Sequence, residues 1–238
     1  MWEYYYHEHD MDDAVEAIRA EASPPLSFIQ RLMLACASRQ KLVPGLVDEK
    51  EVYMGLKTLK LDYTIEANER AVKSIYKTLT GEEVCRTTGS HWEKIGFQHT
   101  DPATDVRGVG MLAIYQLLVF VERHPHKARR YAAHANSPAF EFPFAITMFK
   151  FSALSLNVLR DGRVFGQCNR EDSVRGVMDD FYCGCVMYFM GRYIKEGATV
   201  VDVSPLEEQV TKEGRDRPGH MIELYRDGAE VERQKQRS

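Results

Sequence analysis

The sequence predicts an all-α fold: a single globular helical domain built on two or three long buried helices. Three observations carry that expectation. Apolar residues recur at helical spacing over long segments, most densely in Met111–Val121, Phe142–Leu159 and Glu171–Lys195. Helix-stopping residues end those segments, His124-Pro125, Asp161-Gly162 and Gly197, and Thr80-Gly81 ends the earlier one over Tyr63–Leu79. No paired strand pattern, heptad seam or internal repeat appears, which leaves packed helices as the architecture.

In chain order, residues 10–22 read as a short acidic helix capped by Asp10 and stopped by Ser23-Pro24-Pro25. Leu26–Ala37 carries Phe28, Ile29, Leu32 and Met33 near helical spacing. Glu49–Leu59 repeats that pattern with Val52, Leu56 and Leu59, and Gly55 as its weak point. Tyr63–Leu79 has one stripe, Ile65, Val72, Ile75, Tyr76 and Leu79. Gly81–Gly110 has few periodic cues and reads as a long loop, a class that is often functional. Met111–Arg123 is apolar on nearly every side and should be central. Ala128–Ala135 is a short helix, Phe142–Leu159 a long core helix with Pro143 tolerated in its first turn, and Glu171–Lys195 another. Thr199–Val203 suits a short strand or an extended tail. Beyond Glu207 the composition turns charged and suggests a frayed end.

Composition narrows the function classes. The 238 residues are 44% hydrophobic and 28% charged, enough apolar material for a sizeable core. A net charge of -4 argues against a general nucleic-acid or anionic-membrane binder. Five scattered cysteines suit free thiols in a reducing compartment, and Cys183-Gly184-Cys185 lacks the CxxC spacing of a redox motif. No apolar run reaches the ~18–20 residues that span a bilayer. The first residues lack a signal-peptide pattern, and residue 2 is Trp rather than Gly, so no myristoylation is expected. His7 and His9 neighbour Glu8 and Asp10, but nothing approaches HExxH or paired Cys/His spacing, so no metal and no cofactor are expected. The absence of GxxxxGK[ST], GxSxG and kinase motifs removes the common nucleotide-hydrolase and hydrolase sites.

One stretch carries the chemistry. Trp92, Ile95 and Phe97, with Gly96 between, are spaced as core anchors. Asp101-Pro102 forces a turn, and Thr104 and Asp105 offer side-chain caps. Arg107 follows, between these caps and the small residues Gly108 and Gly110, at the mouth of the apolar helix. The glycines permit positive φ or the close approach of another body. Such a turn either presents a guanidinium to a phosphate with little loss of freedom, or pins itself through an Arg107 pair with Asp101 or Asp105. Gln98 either orients a water at a partner's site or makes a loop hydrogen bond.

The run His91-Trp92-(x)2-Ile95-Gly96-Phe97-Gln98-(x)2-Asp101-Pro102-(x)-Thr104-Asp105-(x)-Arg107-Gly108-(x)-Gly110 resembles the ELMO domain family, and its smaller ELMOD branch more than the larger ELMO scaffolds. Its one departure is Val106, where an aromatic residue or leucine is usual. The resemblance spans about Leu61 to Val203. It implies a GTPase-activating protein for Arf and Arl small GTPases in their GTP-bound state, a regulator without an active site of its own. Arg107 matches the family's proposed catalytic arginine, with Gln98, Asp101, Thr104, Asp105, Gly108 and Gly110 supporting the turn and the approach of the GTPase. It implies a cytoplasmic protein, recruited to membranes or to a cilium or flagellum through its partner. The organisation expected is an N-terminal helical segment over 1–60 packing on the main domain, an ELMO domain over 61–205 and a charged tail over 206–238. The alternative is a non-catalytic ELMO-type adaptor that binds a small GTPase or its regulator.

Overall fold

Helices account for the regular structure, as the apolar periodicity predicts; among the described residues there is no strand. The computed structural model describes residues 1–20 and 40–237. In chain order its helices are α1 (Asp12–Ala20), α2 (Val47–Gly55), α3 (Glu66–Thr80), the single turn α4 (Pro102–Asp105), α5 (Met111–Arg123), α6 (Pro125–Ala135), α7 (Phe144–Arg160), α8 (Phe165–Glu171), α9 (Val174–Glu196), α10 (Val203–Asp216) and α11 (Pro218–Arg237). The helix expected over Leu26–Ala37 lies outside the described residues.

α5 and α9 form the centre. Every residue from Met111 to Leu118 is buried, as are Phe120 and Val121. Each large apolar side chain gains about 1.5–3 kcal/mol on leaving water. That offsets an ordering cost of about 1–2 kcal/mol per backbone residue, so tertiary packing holds this helix. α9 packs against α2, α5, α7, α8, α10 and α11. α3 lays Ala71, Val72, Ile75, Tyr76 and Leu79 against α5 and α6 and ends on Gly81 in the left-handed region.

Several boundaries differ from the sequence expectation. Glu171–Lys195 is not one helix. Asp172 adopts φ 50°, and Ser173 restarts the chain as an N-cap by accepting the Gly176 N–H at 2.9 Å. Thr199–Val203 is neither strand nor tail but a 3₁₀ turn closed by a Thr199/Asp202 capping box. The long loop holds a 3₁₀ helix over Ser90–Ile95 as well as α4.

The largest difference lies from Leu206 onward, where charged composition hides an amphipathic pattern. Leu206, Val210, Met221, Ile222, Tyr225 and Ala229 are buried, and α10 and α11 both pack on α9. The fit of α11 requires Gly184, since a Cβ there would overlap the Met221 carbonyl. Ion pairs reinforce this contact: Arg226 bridges Asp180 and Glu171 at 2.7 Å each, and Arg123 reaches Asp180 at 2.8 Å.

A carboxylate sits inside this assembly. Asp179, 1% exposed, accepts the Tyr115 hydroxyl at 2.8 Å; Arg123 and Arg175 stand at 3.4 and 3.8 Å. The N-terminal turn closes over this region: Trp2 packs near Tyr53 and Tyr115, the Arg175 guanidinium lies 5.4 Å from the Trp2 ring centre, and Glu3 pairs with Arg175. Burial raises the Asp179 carboxyl to about 7, against the opposing pull of Arg123, Tyr115 and Arg175. The unfolded chain releases this proton near 3.8, so between 3.8 and about 7 the folded state holds it more tightly. This contribution to stability is fully present below the lower value and lost as pH rises through the upper. Asp179→Asn keeps an acceptor for Tyr115 and removes the titration. The wild-type unfolding free energy minus that of the variant is therefore expected to fall as pH rises across this window. Urea denaturation at a series of pH values measures it, and a difference that stays flat would contradict the assignment.

Candidate functional site

The segment from His91 to Gly110 is anchored from below. Trp92, Ile95 and Phe97 are buried; the Trp92 indole N–H donates to the Thr87 carbonyl at 2.9 Å, and Phe97 packs edge-on to Trp92 and Phe149. Gly96 has φ 83°, and a Cβ on it would overlap the backbone N of Phe144. All four residues, Trp92, Ile95, Gly96 and Phe97, are buried beneath the turn. From Asp101 the chain makes α4, turns through Val106–Gly110 and enters α5. Val106 is buried and its carbonyl accepts the N–H groups of Val109 at 3.0 Å and Gly110 at 2.6 Å.

Both aspartates are committed to the backbone and to residues other than Arg107. Asp101 caps α4 through the Ala103 N–H at 2.9 Å and accepts the Tyr63 hydroxyl at 2.9 Å. Burial, and then Asp101, push the Tyr63 phenol up, so it remains a donor. The Asp105 side chain, 2% exposed, accepts the N–H groups of Gln98 at 2.9 Å and His99 at 3.1 Å and pairs with the His99 ring. The alternative in which Arg107 pairs with one of these aspartates is not the arrangement found. Arg107 is exposed and donates one long hydrogen bond, 3.4 Å, to the Thr104 hydroxyl among the described residues. Among the described residues it makes no ion pair. Gln98 makes its loop hydrogen bond through the backbone, leaving an exposed side chain.

The two glycines behave differently. Gly110 has φ 59° and ψ -152°, a region open essentially to glycine, and a Cβ on it would overlap the Lys57 carbonyl. Its requirement is the chain's own strap over residues 57–61. Gly108 is exposed, has no positive φ, and nothing lies within 4 Å of a Cβ placed there.

With this geometry in view, the chain matches the ELMO/CED-12 family over residues 53–206. It belongs to that family. Among similar proteins, bovine (Bos taurus) ELMO domain-containing protein 3 is 31% identical over 165 residues, covering 68% of this chain and 43% of the relative. Mouse (Mus musculus) ELMO domain-containing protein 2 is 24% identical over 156 residues, 62% of this chain and 53% of the relative. ELMO domain-containing protein B of Dictyostelium discoideum is 43% identical over 68 residues, 29% of this chain and 24% of the relative. The chain thus spans about half the length of the first two. No solved structure matches it significantly. No described helix is long and apolar enough to cross a membrane.

This ELMO domain has a feature that sequence reasoning missed. The family match includes Lys57–Leu61, ahead of the expected start at Leu61. That strap runs beside the Arg107 turn, and the Leu59 carbonyl accepts the Met111 N–H at 3.0 Å, fixing the start of α5. Between strap and turn lies a groove of about 550 Å³. Leu61 and Val106 are buried beneath it, Leu59 is half-buried, and Lys57, Lys60 and Arg107 also line it. Lys57-Thr58-Leu59-Lys60-Leu61 is a mixed cationic and apolar run without a helical stripe beyond Leu59, so only its charge could have marked it.

Proposed function

We propose that this ELMO domain accelerates GTP hydrolysis by an Arf- or Arl-type small GTPase, with Arg107 entering the partner's nucleotide site as an arginine finger. The observation that carries the reading is an exposed arginine on an internally braced turn, held among the described residues by one long hydrogen bond and by neither nearby aspartate. A guanidinium so placed reaches a partner without first breaking an ion pair among the described residues.

The chemistry needed is electrostatic. Hydrolysis builds charge on the γ-phosphoryl oxygens and the bridging oxygen, and a positioned guanidinium neutralises it in a site from which water is excluded. Asp101 and Asp105 hold the turn by accepting backbone N–H groups, and α5 supplies a rigid support. Gln98, Thr104 and Gly108 face the incoming GTPase in this reading, while Gly110 keeps the turn pressed on the strap. The partner is the GTP-bound state, and any membrane, ciliary or flagellar location follows from it.

Single-turnover GTP hydrolysis by a panel of Arf- and Arl-type GTPases, with and without the full chain, tests the proposal. At least one member is expected to hydrolyse GTP orders of magnitude faster with the protein present. Intrinsic rates across the whole panel would overturn it.

A further inference from the structure

We infer that the groove beside Arg107 is a recognition site for an apolar side chain flanked by carboxylates on the GTPase, with Lys60 supplying affinity rather than rate. The inference rests on the GTPase-activating reading for the identity of its partner, but the groove's own chemistry defines what it takes. Its floor is apolar, with Leu61 and Val106 buried and Leu59 half-buried. Three cationic residues, Lys57, Lys60 and Arg107, line it against one carboxylate, Asp101. Oδ1 of that carboxylate already accepts from Tyr63 and Ala103. A bare phosphate would leave the floor wet, and an uncharged apolar segment would leave Lys60 unanswered. A hydrophobic residue between acidic ones satisfies both.

Lys60 is exposed, and among the described residues it makes no ion pair. Its backbone neighbour Leu59 is hydrogen-bonded to the first residue of α5, and Gly110 lies directly under Lys57. Lys60 and Arg107 therefore ride one rigid frame, so a partner whose acidic surface meets Lys60 arrives in register with Arg107. Charges at the rim of an interface act on encounter and affinity, whereas the finger acts on the transition state.

The test measures equilibrium binding of the full chain to the same GTPase panel loaded with a non-hydrolysable GTP analogue, alongside the hydrolysis assay. Lys60→Glu is expected to weaken binding about tenfold, more at low salt than at high, with Lys60→Ala between it and wild type. At saturating protein the maximal hydrolysis rate should stay within about twofold of wild type. Thermal melts confirm that each variant is folded, and Lys195→Glu, an exposed reversal near the end of α9, should bind as wild type. Equal binding by Lys60→Glu and wild type would overturn the groove assignment while leaving the finger intact. So would an equal loss in Lys195→Glu, which would mean general charge attraction. A fall in the saturated rate with unchanged binding would overturn the assignment to affinity. Lys60-dependent binding without stimulated hydrolysis would keep the groove and refute the finger; no binding to any panel member would refute both.

Discussion

Arg107→Ala is expected to lower the stimulated rate of GTP hydrolysis by about 10³–10⁵, the usual worth of an arginine finger, while leaving the fold intact. The two halves of that expectation come from different facts. The rate term depends on the guanidinium meeting charge that exists only in the transition state. The stability term follows from exposure: among the described residues the side chain makes a single 3.4 Å hydrogen bond, to Thr104. Losing it should cost within about 0.5 kcal/mol, as for most surface substitutions. Arg107→Lys should recover little of the rate, because an ammonium lacks the planar fork that spans two phosphate oxygens. Single-turnover hydrolysis at saturating protein, paired with thermal melts, reads both terms. A large drop in melting temperature with a matching loss of activity would make Arg107 structural. An unchanged rate in Arg107→Ala would leave a non-catalytic adaptor as the better description of this ELMO domain.

The fold was legible where apolar residues alone fix an element. Met111–Val121 reads as central because every face is apolar, and it is buried on nearly every face. Legibility failed where charge dilutes the stripe. Near the end of the chain, Glu207 and Lys212 crowd the apolar residues Leu206 and Val210, yet those two still fall four apart and reach the core. It failed again at Asp172, since a single left-handed residue divides a helix without a glycine or proline to announce it. At the candidate site, the sequence names the turn residues but leaves open which of two states Arg107 occupies. Asp105 decides one half of that choice by folding back onto the Gln98 and His99 amides, a contact across six or seven residues. Tyr63 decides part of the other by donating to Asp101 from 38 residues away. Long-range partners of this kind leave no local periodic trace, and the Lys57–Leu61 strap is invisible for the same reason.

Gly110→Ala is expected to be strongly destabilising, and it tests how the turn is built. Two costs add. The backbone at φ 59° and ψ -152° is strained by about 1–3 kcal/mol for a residue with a Cβ. The Cβ would also overlap the Lys57 carbonyl, so the strap must lift and its hydrogen bond from Met111 N to Leu59 O must lengthen, which costs about 1–3 kcal/mol when a buried group loses its partner. Together they give about 2–6 kcal/mol, a large share of the roughly 5–15 kcal/mol that holds a domain folded. Thermal and urea melts should show a fall in melting temperature on the order of ten degrees. Gly108→Ala is the internal control. Its Cβ meets open space at a φ that is not positive, so its melt should stay within about 1 kcal/mol of wild type or rise slightly, because alanine narrows the unfolded ensemble. The pair separates two meanings of glycine in one short turn. At 110 the missing side chain makes room for the protein's own backbone, and at 108 it leaves a bare surface beside Arg107. If Gly108→Ala melts normally yet weakens GTPase stimulation, that surface belongs to the approaching partner. If Gly110→Ala melts with wild type, the strap yields easily, and the rigid frame assigned to Arg107 and Lys60 is wrong.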